Sequence, residues 1–114
     1  MERLTKKRVF EILNSRFKEG FLKLSSLPQP NTIKDLQKGA RRVAKAIRSK
    51  EKIVVVGDYD VDGIISSSIM KEFFLYINYP IEIIIPNRFK DGYGISKKLL
   101  SNIDTDVVIT VDNG

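Results

Sequence analysis

Three aspartates, Asp58, Asp60 and Asp62, stand two residues apart where an apolar run, Ile53-Val54-Val55-Val56, gives out, with Gly57 before them and Gly63 after. Carboxylates at alternate positions of an extended turn can face the same way. Two unit charges about 4 Å apart repel by about 4 kcal/mol at an effective dielectric near 20. A fold that gathers such groups at one place therefore calls for a positive partner, and a divalent cation with oxygen ligands meets that need. A fourth carboxylate, Asp112, ends another apolar run over 107–111. The chain has no cysteine and no histidine, so a metal site built from these residues is made of carboxylates. An ordinary account exists, since aspartate is favoured in turns and helix caps. Three aspartates at one strand end exceed what a cap requires.

Two familiar motifs share part of this spacing. Asp58-x-Asp60-x-Asp62-Gly63 matches the opening of an EF-hand loop, yet Ile69 occupies the place of its bidentate glutamate. A strand, not a helix, precedes it. Haloacid-dehalogenase phosphatases also carry two aspartates two apart after a first strand, with a Ser or Thr closing a later one, a place Thr110 would fill. Those enzymes usually have Thr or Val four residues after the nucleophile and then a loop excursion. Here Asp62 holds that position and Gly63 leads directly into helical sequence. This phosphatase reading is kept as the alternative.

A second constellation is Pro86-Asn87-Arg88-Phe89-Lys90-Asp91-Gly92-Tyr93-Gly94. Arg88 offers a planar fork suited to phosphate oxygens. Gly92 and Gly94 permit unusual backbone angles around Tyr93, whose ring can support a base or pack on the loop. The third is Val111-Asp112-Asn113-Gly114, in which Asn-Gly alone is an ordinary turn signal. A further carboxylate at the same edge as Asp60 and Asp62 would suit a two-metal site.

The elements that must position these groups follow from periodicity. Apolar residues Val9, Phe10, Ile12, Leu13 and Phe17 recur at helical spacing over 6–18, with Gly20 as a stop. Leu27-Pro28-Gln29-Pro30-Asn31 reads as an extended connector. Thr32-Ile33-Lys34-Asp35 has the form of a capping box opening a helix to residue 49. That helix would bury Ile33, Leu36, Ala40, Val43, Ala44 and Ile47, while Lys34, Lys38, Arg41, Lys45 and Arg48 form a second stripe at three- and four-residue steps. Short β-branched runs at 53–56, 81–85 and 107–111 read as buried parallel strands. Helices are expected between them, at 63–78 with a core side of Ile65, Ile69, Met70, Phe73 and Ile77, and at 96–102, capped by Ser96. This alternation predicts an α/β fold, a partial open parallel sheet in β-α-β-α-β order preceded by two helices. Ligands of such sheets bind beyond the carboxyl ends of the strands, where all three motifs lie.

Composition sets the outer bounds. With 114 residues, 42% hydrophobic and 30% charged, the chain has enough apolar material for one small core. It lacks the run of about 18 apolar residues that a membrane-spanning helix needs. Its basic N-terminus has no apolar stretch behind it, which argues against a secretory signal, and a cytoplasmic location is expected. Residues 1–52 carry 15 Lys and Arg against 5 Asp and Glu, whereas 53–114 carry 5 against 9. Such asymmetry suits a polyanion held on one surface and cut at a metal site on another. Solvated basic helix faces are the plainer account.

Together the three motifs resemble the DHH phosphoesterase superfamily, and within it the RecJ-type single-stranded-DNA-specific exonucleases, over about 21–114. The resemblance implies that Asp60, Asp62 and Asp112 are catalytic metal ligands, with Asp58 a ligand or close support, and that Mn2+ or Mg2+ is the cofactor. It implies contacts of Arg88 and Asn87 with substrate phosphate and supporting roles for Gly63, Gly92, Tyr93 and Gly94. The implied reaction is 5′-to-3′ hydrolysis of single-stranded DNA in repair and recombination. A non-catalytic nucleic-acid-binding module of the same type is the other alternative. The domain reading is an N-terminal helix and connector over 1–32, then an incomplete DHH phosphoesterase domain over 33–114. The family's Asp-His-His motif lies downstream of the third strand, so a partial chain that binds metal weakly and cuts nothing alone is expected.

Overall fold

The computed structural model describes residues 4–16, 24–87, 89–92 and 94–113. The chain divides into two compact units, Met1–Leu36 and Gln37–Gly114. In the first, α1 spans Lys6–Arg16. Thr5 opens it, its hydroxyl accepting from the Arg8 amide at 3.2 Å. The expected extension to residue 18 and the Gly20 stop lie outside the described residues. The connector is not simply extended. It contains a 3-10 turn at Leu24–Ser26 and another at Pro30–Thr32, entered through Gln29 in the extended conformation that a following proline favours.

The expected capping box does not form. The Thr32 hydroxyl donates instead to the Gln29 carbonyl at 2.7 Å, and Asp35 adopts a left-handed φ of 57°. That residue breaks the helical path, so α2 starts at Leu36 and runs to Arg48. Ile33, Leu36 and Ala40 are accordingly exposed. Burial falls on the C-terminal half of α2, with Ala46 fully buried and Val43, Ala44 and Ile47 half-buried.

Strands β1 (Ile53–Val56), β2 (Glu82–Ile84) and β3 (Val107–Thr110) form a parallel sheet in the order β2-β1-β3. Every residue of the central β1 is buried, as a strand covered on both faces requires. One core cluster joins Ala46, Ile53 and Phe74, with Val43, Ile47, Met70 and Tyr79 packed against it. Another joins Val54, Val56 and Leu99 with Ile84, Ile103 and Val108. Alternate β1 residues thus serve different clusters, as the two-residue period of a strand demands.

Helix α3 (Val61–Tyr76) separates β1 from β2, and the short α4 (Lys97–Ser101) separates β2 from β3. Ser96 caps α4 as expected, its hydroxyl accepting from the Leu99 amide at 3.0 Å. The buried side of α3 differs from expectation. Gly63, Ser67 and Phe74 are buried, whereas Ile65, Ile69, Phe73 and Ile77 are exposed. Apolar residues are spread around the helix without a single stripe, so hydrophobic periodicity could not select its inward face. Packing selected small residues where the helix passes closest to the backbone of the motif.

Ser67 illustrates this. A Cβ placed on Gly57 would run into the Ser67 hydroxyl, which is buried and meets no hydrogen-bond partner among the described residues. Desolvating a hydroxyl without a partner costs about 1–3 kcal/mol. Ser67→Ala is therefore expected to raise unfolding stability by about 1 kcal/mol, read from a urea midpoint at unchanged slope.

Register sets the level at which the motifs emerge. Ile53 pairs with Val107 and Val56 with Thr110, while Val56 also pairs with Ile84. The Lys52 carbonyl accepts from the Asp106 and Val107 amides at 3.1 Å, and the Lys52 amide donates to Asp106 Oδ2 at 2.8 Å. Lys52 Nζ also pairs with the Asp104 carboxylate. These ties anchor the entry to β3, so Asp112 leaves the sheet beside the Asp58–Asp60 turn.

Candidate metal centre

The strand ends are stitched by backbone bonds. The Gly57 amide donates to the Ile84 carbonyl, and the Val111 amide to the Val56 carbonyl, both at 3.0 Å. The Asn113 side-chain amide adds a bond to the Gly57 carbonyl at 2.7 Å. Asn113 read from sequence as a turn residue; here it is a tether between the first and third motifs. Its spacing next to Asp112 could not show that, because the partner lies 56 residues away.

Each acid in the first motif is locally oriented. Asp58 is buried, and its Oδ1 accepts from the Tyr59 amide at 2.8 Å. Asp60 is the N-cap of α3, its Oδ1 accepting from the Gly63 amide at 2.9 Å. This satisfies one of the unpaired donors of the first helical turn and points the carboxylate across the helix start. A Cβ on Gly63 would lie 2.6 Å from the Asp58 carbonyl carbon and from its Cβ, so glycine is required for this approach.

Asp112 is reached from the other side of β1, through a left-handed φ of 54° that Asp tolerates better than most residues. Asp58, Asp60 and Asp112 thereby offer oxygens that all lie within 4.8 Å of one another. Among the described residues, no Lys or Arg forms an ion pair with any of them. Partial desolvation, then the charge of Asp60 and a hydrogen bond shared with it, hold the Asp112 carboxyl above the ordinary carboxylate range. Asp62 and Asp58 add to the same effect. Because the residue is otherwise exposed, the crowding of like charge is the cause that substitution can test.

Asp62 sits in the first turn of α3, exposed and outside the convergent trio, although its charge reaches Asp112. An all-oxygen, multiply anionic donor set is what a hard divalent cation takes, so the residues present fit manganese or magnesium.

The loop after β2 closes on Asn87. Its Oδ1 accepts from the Phe89 and Lys90 amides at 3.0 and 3.2 Å, and its backbone N–H donates to Asp91 Oδ2 at 2.9 Å. The carboxamide oxygen of Asn87 thus organises the loop. Gly92 and Gly94 have φ of 80° and 76°, as their place around residue 93 suggested. Arg88, Tyr93 and Gly114 lie outside the described residues.

Residues 52–114 match the family described as DHH family, N-terminal domain. The single-stranded-DNA-specific exonuclease RecJ of Bacillus subtilis is 36% identical over 88 residues, covering 75% of this chain and 11% of that protein. RecJ of Haemophilus influenzae is 30% identical over 95 residues, covering 80% and 16%. The chain thus spans a small part of the length of these relatives. The crystal structure of exonuclease RecJ bound to manganese superposes with a TM-score of 0.67 at 30% identity, covering 77% of this chain and 22% of that one. More than half of the chain falls within the matched segment, and it carries convergent carboxylates at the ends of β1 and β3: this protein belongs to the DHH family.

Proposed function

We propose that this chain supplies the carboxylate side of the metal centre of a 5′-to-3′ single-stranded-DNA exonuclease, acting in DNA repair and recombination in the cytoplasm. The observation that carries the reading is the convergence of Asp58, Asp60 and Asp112 from two strand ends. It is supported by the manganese named for the superposed exonuclease. Among the described residues, no helix is long and apolar enough to cross a membrane.

Asp58, Asp60 and Asp112 would hold the cation, with Asp62 as a further acid beside them. The ion, Mn2+ or Mg2+, supplies Lewis acidity and positive charge where negative charge develops on the phosphate. The chain's own part is orientation. Asp60 keeps one oxygen on the Gly63 amide. Asp58 is held by the Tyr59 amide, and Asp112 is fixed by its left-handed turn and the Asn113 tether. In this reading Arg88 and Asn87 contact the substrate phosphate, and Gly63, Gly92, Tyr93 and Gly94 shape the loops. A domain boundary between the connector, 1–32, and the DHH portion, 33–114, belongs to the same proposal.

The test has two arms. Mn2+ titrated into the chain is followed by loss of the free-ion electron paramagnetic resonance signal, with saturable binding expected. Residues 52–114 are also exchanged for the matching segment of Bacillus subtilis RecJ, and the chimera is assayed on 5′-phosphorylated single-stranded DNA. Release of mononucleotides from the 5′ end supports the reading. A folded chimera that binds Mn2+ and leaves DNA intact overturns it.

A further inference from the structure

We propose that the exposed basic face of α2 is a track for the phosphate backbone of single-stranded nucleic acid, separate from the carboxylate centre. The choice of polymer rests on the exonuclease reading above; the surface itself does not. From Leu36 to Lys50 the sequence holds six Lys and Arg and no Asp or Glu. Arg42 is committed to Glu51 at 2.6 Å. Lys38, Arg41, Lys45 and Arg48 are exposed and form no ion pair among the described residues.

At 100° and 1.5 Å per residue, these four fall within an arc of about 80° and extend over about 15 Å of helix. They form one continuous band of charge along the helix, long enough to follow a strand and not merely to hold a single anion. Their fork and ammonium donors bind phosphate without reading bases.

Two further features favour nucleic acid over an anionic membrane. A helix that lies in a bilayer surface presents bulky apolar residues beside its basic face. The apolar residues of α2's C-terminal half, Val43, Ala44, Ala46 and Ile47, are half-buried or buried, and Val43, Ala46 and Ile47 pack in the core. The charge segregation along the chain also matters. The basic residues of α2 do not include the carboxylates that would hold the cation, so contact with α2 should persist when metal is removed.

The experiment measures fluorescence anisotropy of a labelled dT20 oligonucleotide with the full chain in EDTA, over a series of salt concentrations. Four phosphate contacts predict a log–log slope near about −2.8, at roughly −0.7 per contact for single strands. The variant K38Q/R41Q/K45Q/R48Q is expected to lose at least about tenfold in affinity at low salt and to flatten that slope. The paired variants K38Q/K45Q and R41Q/R48Q should each lose about half of it, while K38R/K45R keeps it. Mn2+ binding by the quadruple variant should match that of the parent chain. Unchanged dT20 binding by variants that still bind Mn2+ overturns the track and leaves the metal reading standing. Charge-dependent flotation with phosphatidylserine vesicles, without dT20 binding, overturns it in favour of a membrane surface.

Discussion

Asp112→Asn is expected to reduce Mn2+ affinity by more than about a hundredfold, a larger loss than the ten- to hundredfold typical of groups that only support a metal ligand. Asparagine keeps the shape and tolerates the left-handed backbone at this position. The substitution therefore removes charge while sparing the turn. The same change should raise the thermal midpoint of the metal-free chain, because desolvation, and then the crowding with Asp60, Asp62 and Asp58, hold the Asp112 carboxyl above its ordinary range, and an uncharged amide relieves both. Opposite signs with and without metal distinguish a ligand from a merely structural acid. In the parent chain, excess Mn2+ should stabilise by mass action, about 2.7 kcal/mol at a hundred times the dissociation constant. The variant should show almost none of this. A variant that binds Mn2+ like the parent would remove Asp112 from the centre.

The direction of the Asp112 shift also sets a pH dependence. A carboxyl whose folded pKa is raised takes up its proton more readily in the folded state than in the unfolded one. The folded chain is therefore penalised above the raised value, and the penalty fades as pH falls through it toward the ordinary carboxylate range. Metal-free stability should rise slightly on mild acidification from neutral. Mn2+ affinity should fall over the same interval, since proton and cation compete for one carboxylate. Both trends should flatten in the Asp112→Asn variant. Thermal scans and Mn2+ titrations at stepped pH measure them.

Gly63→Ala carries the second large effect. Alanine is the better helix former by about 1 kcal/mol, which would favour the variant on an open helix surface. Here the new methyl group would lie 2.6 Å from two carbons of Asp58, one of them backbone. Neither atom belongs to the far end of a flexible side chain, so the helix start must move away from the strand end. Overpacking of this kind costs about 1–3 kcal/mol and sometimes more. The clash should outweigh the propensity gain, for a net loss of about 1 kcal/mol in a denaturant titration. Because the Gly63 amide also holds Asp60, the shift should weaken Mn2+ binding even under conditions where the variant is folded. A variant as stable as the parent, with unaltered Mn2+ affinity, would show that the close approach is dispensable.

The residues that make contact with distant chain could not be inferred locally. Ile53–Val56, with its run of β-branched side chains, was legible as a buried strand because no other element buries both faces over so few residues. The alternation of strands and helices, and the placing of all three motifs at strand ends, followed from spacing alone. The α2 start did not. Its capping box competed with a 3-10 turn anchored on Pro30, and the left-handed Asp35 decided the outcome. Nor did the inward face of α3, where apolar residues are spread around the helix and the closest approach to Gly57 and Asp58 selected Ser67 and Gly63 over Ile65 and Ile69.

The same division holds for the centre. Residue types and spacing by themselves determined that Asp58, Asp60, Asp62 and Asp112 were the acids to watch, and that any metal site here would be carboxylate-only, since neither histidine nor cysteine occurs. Tertiary structure decided which of them meet. The parallel register of β1 and β3 carries Asp112 to Asp58 and Asp60, while the start of α3 at Val61 takes Asp62 into the first helical turn and out of the trio. Spacing along a chain constrains chemistry within a turn; distances between turns are set by strand pairing, and strand pairing is a property of the folded sheet.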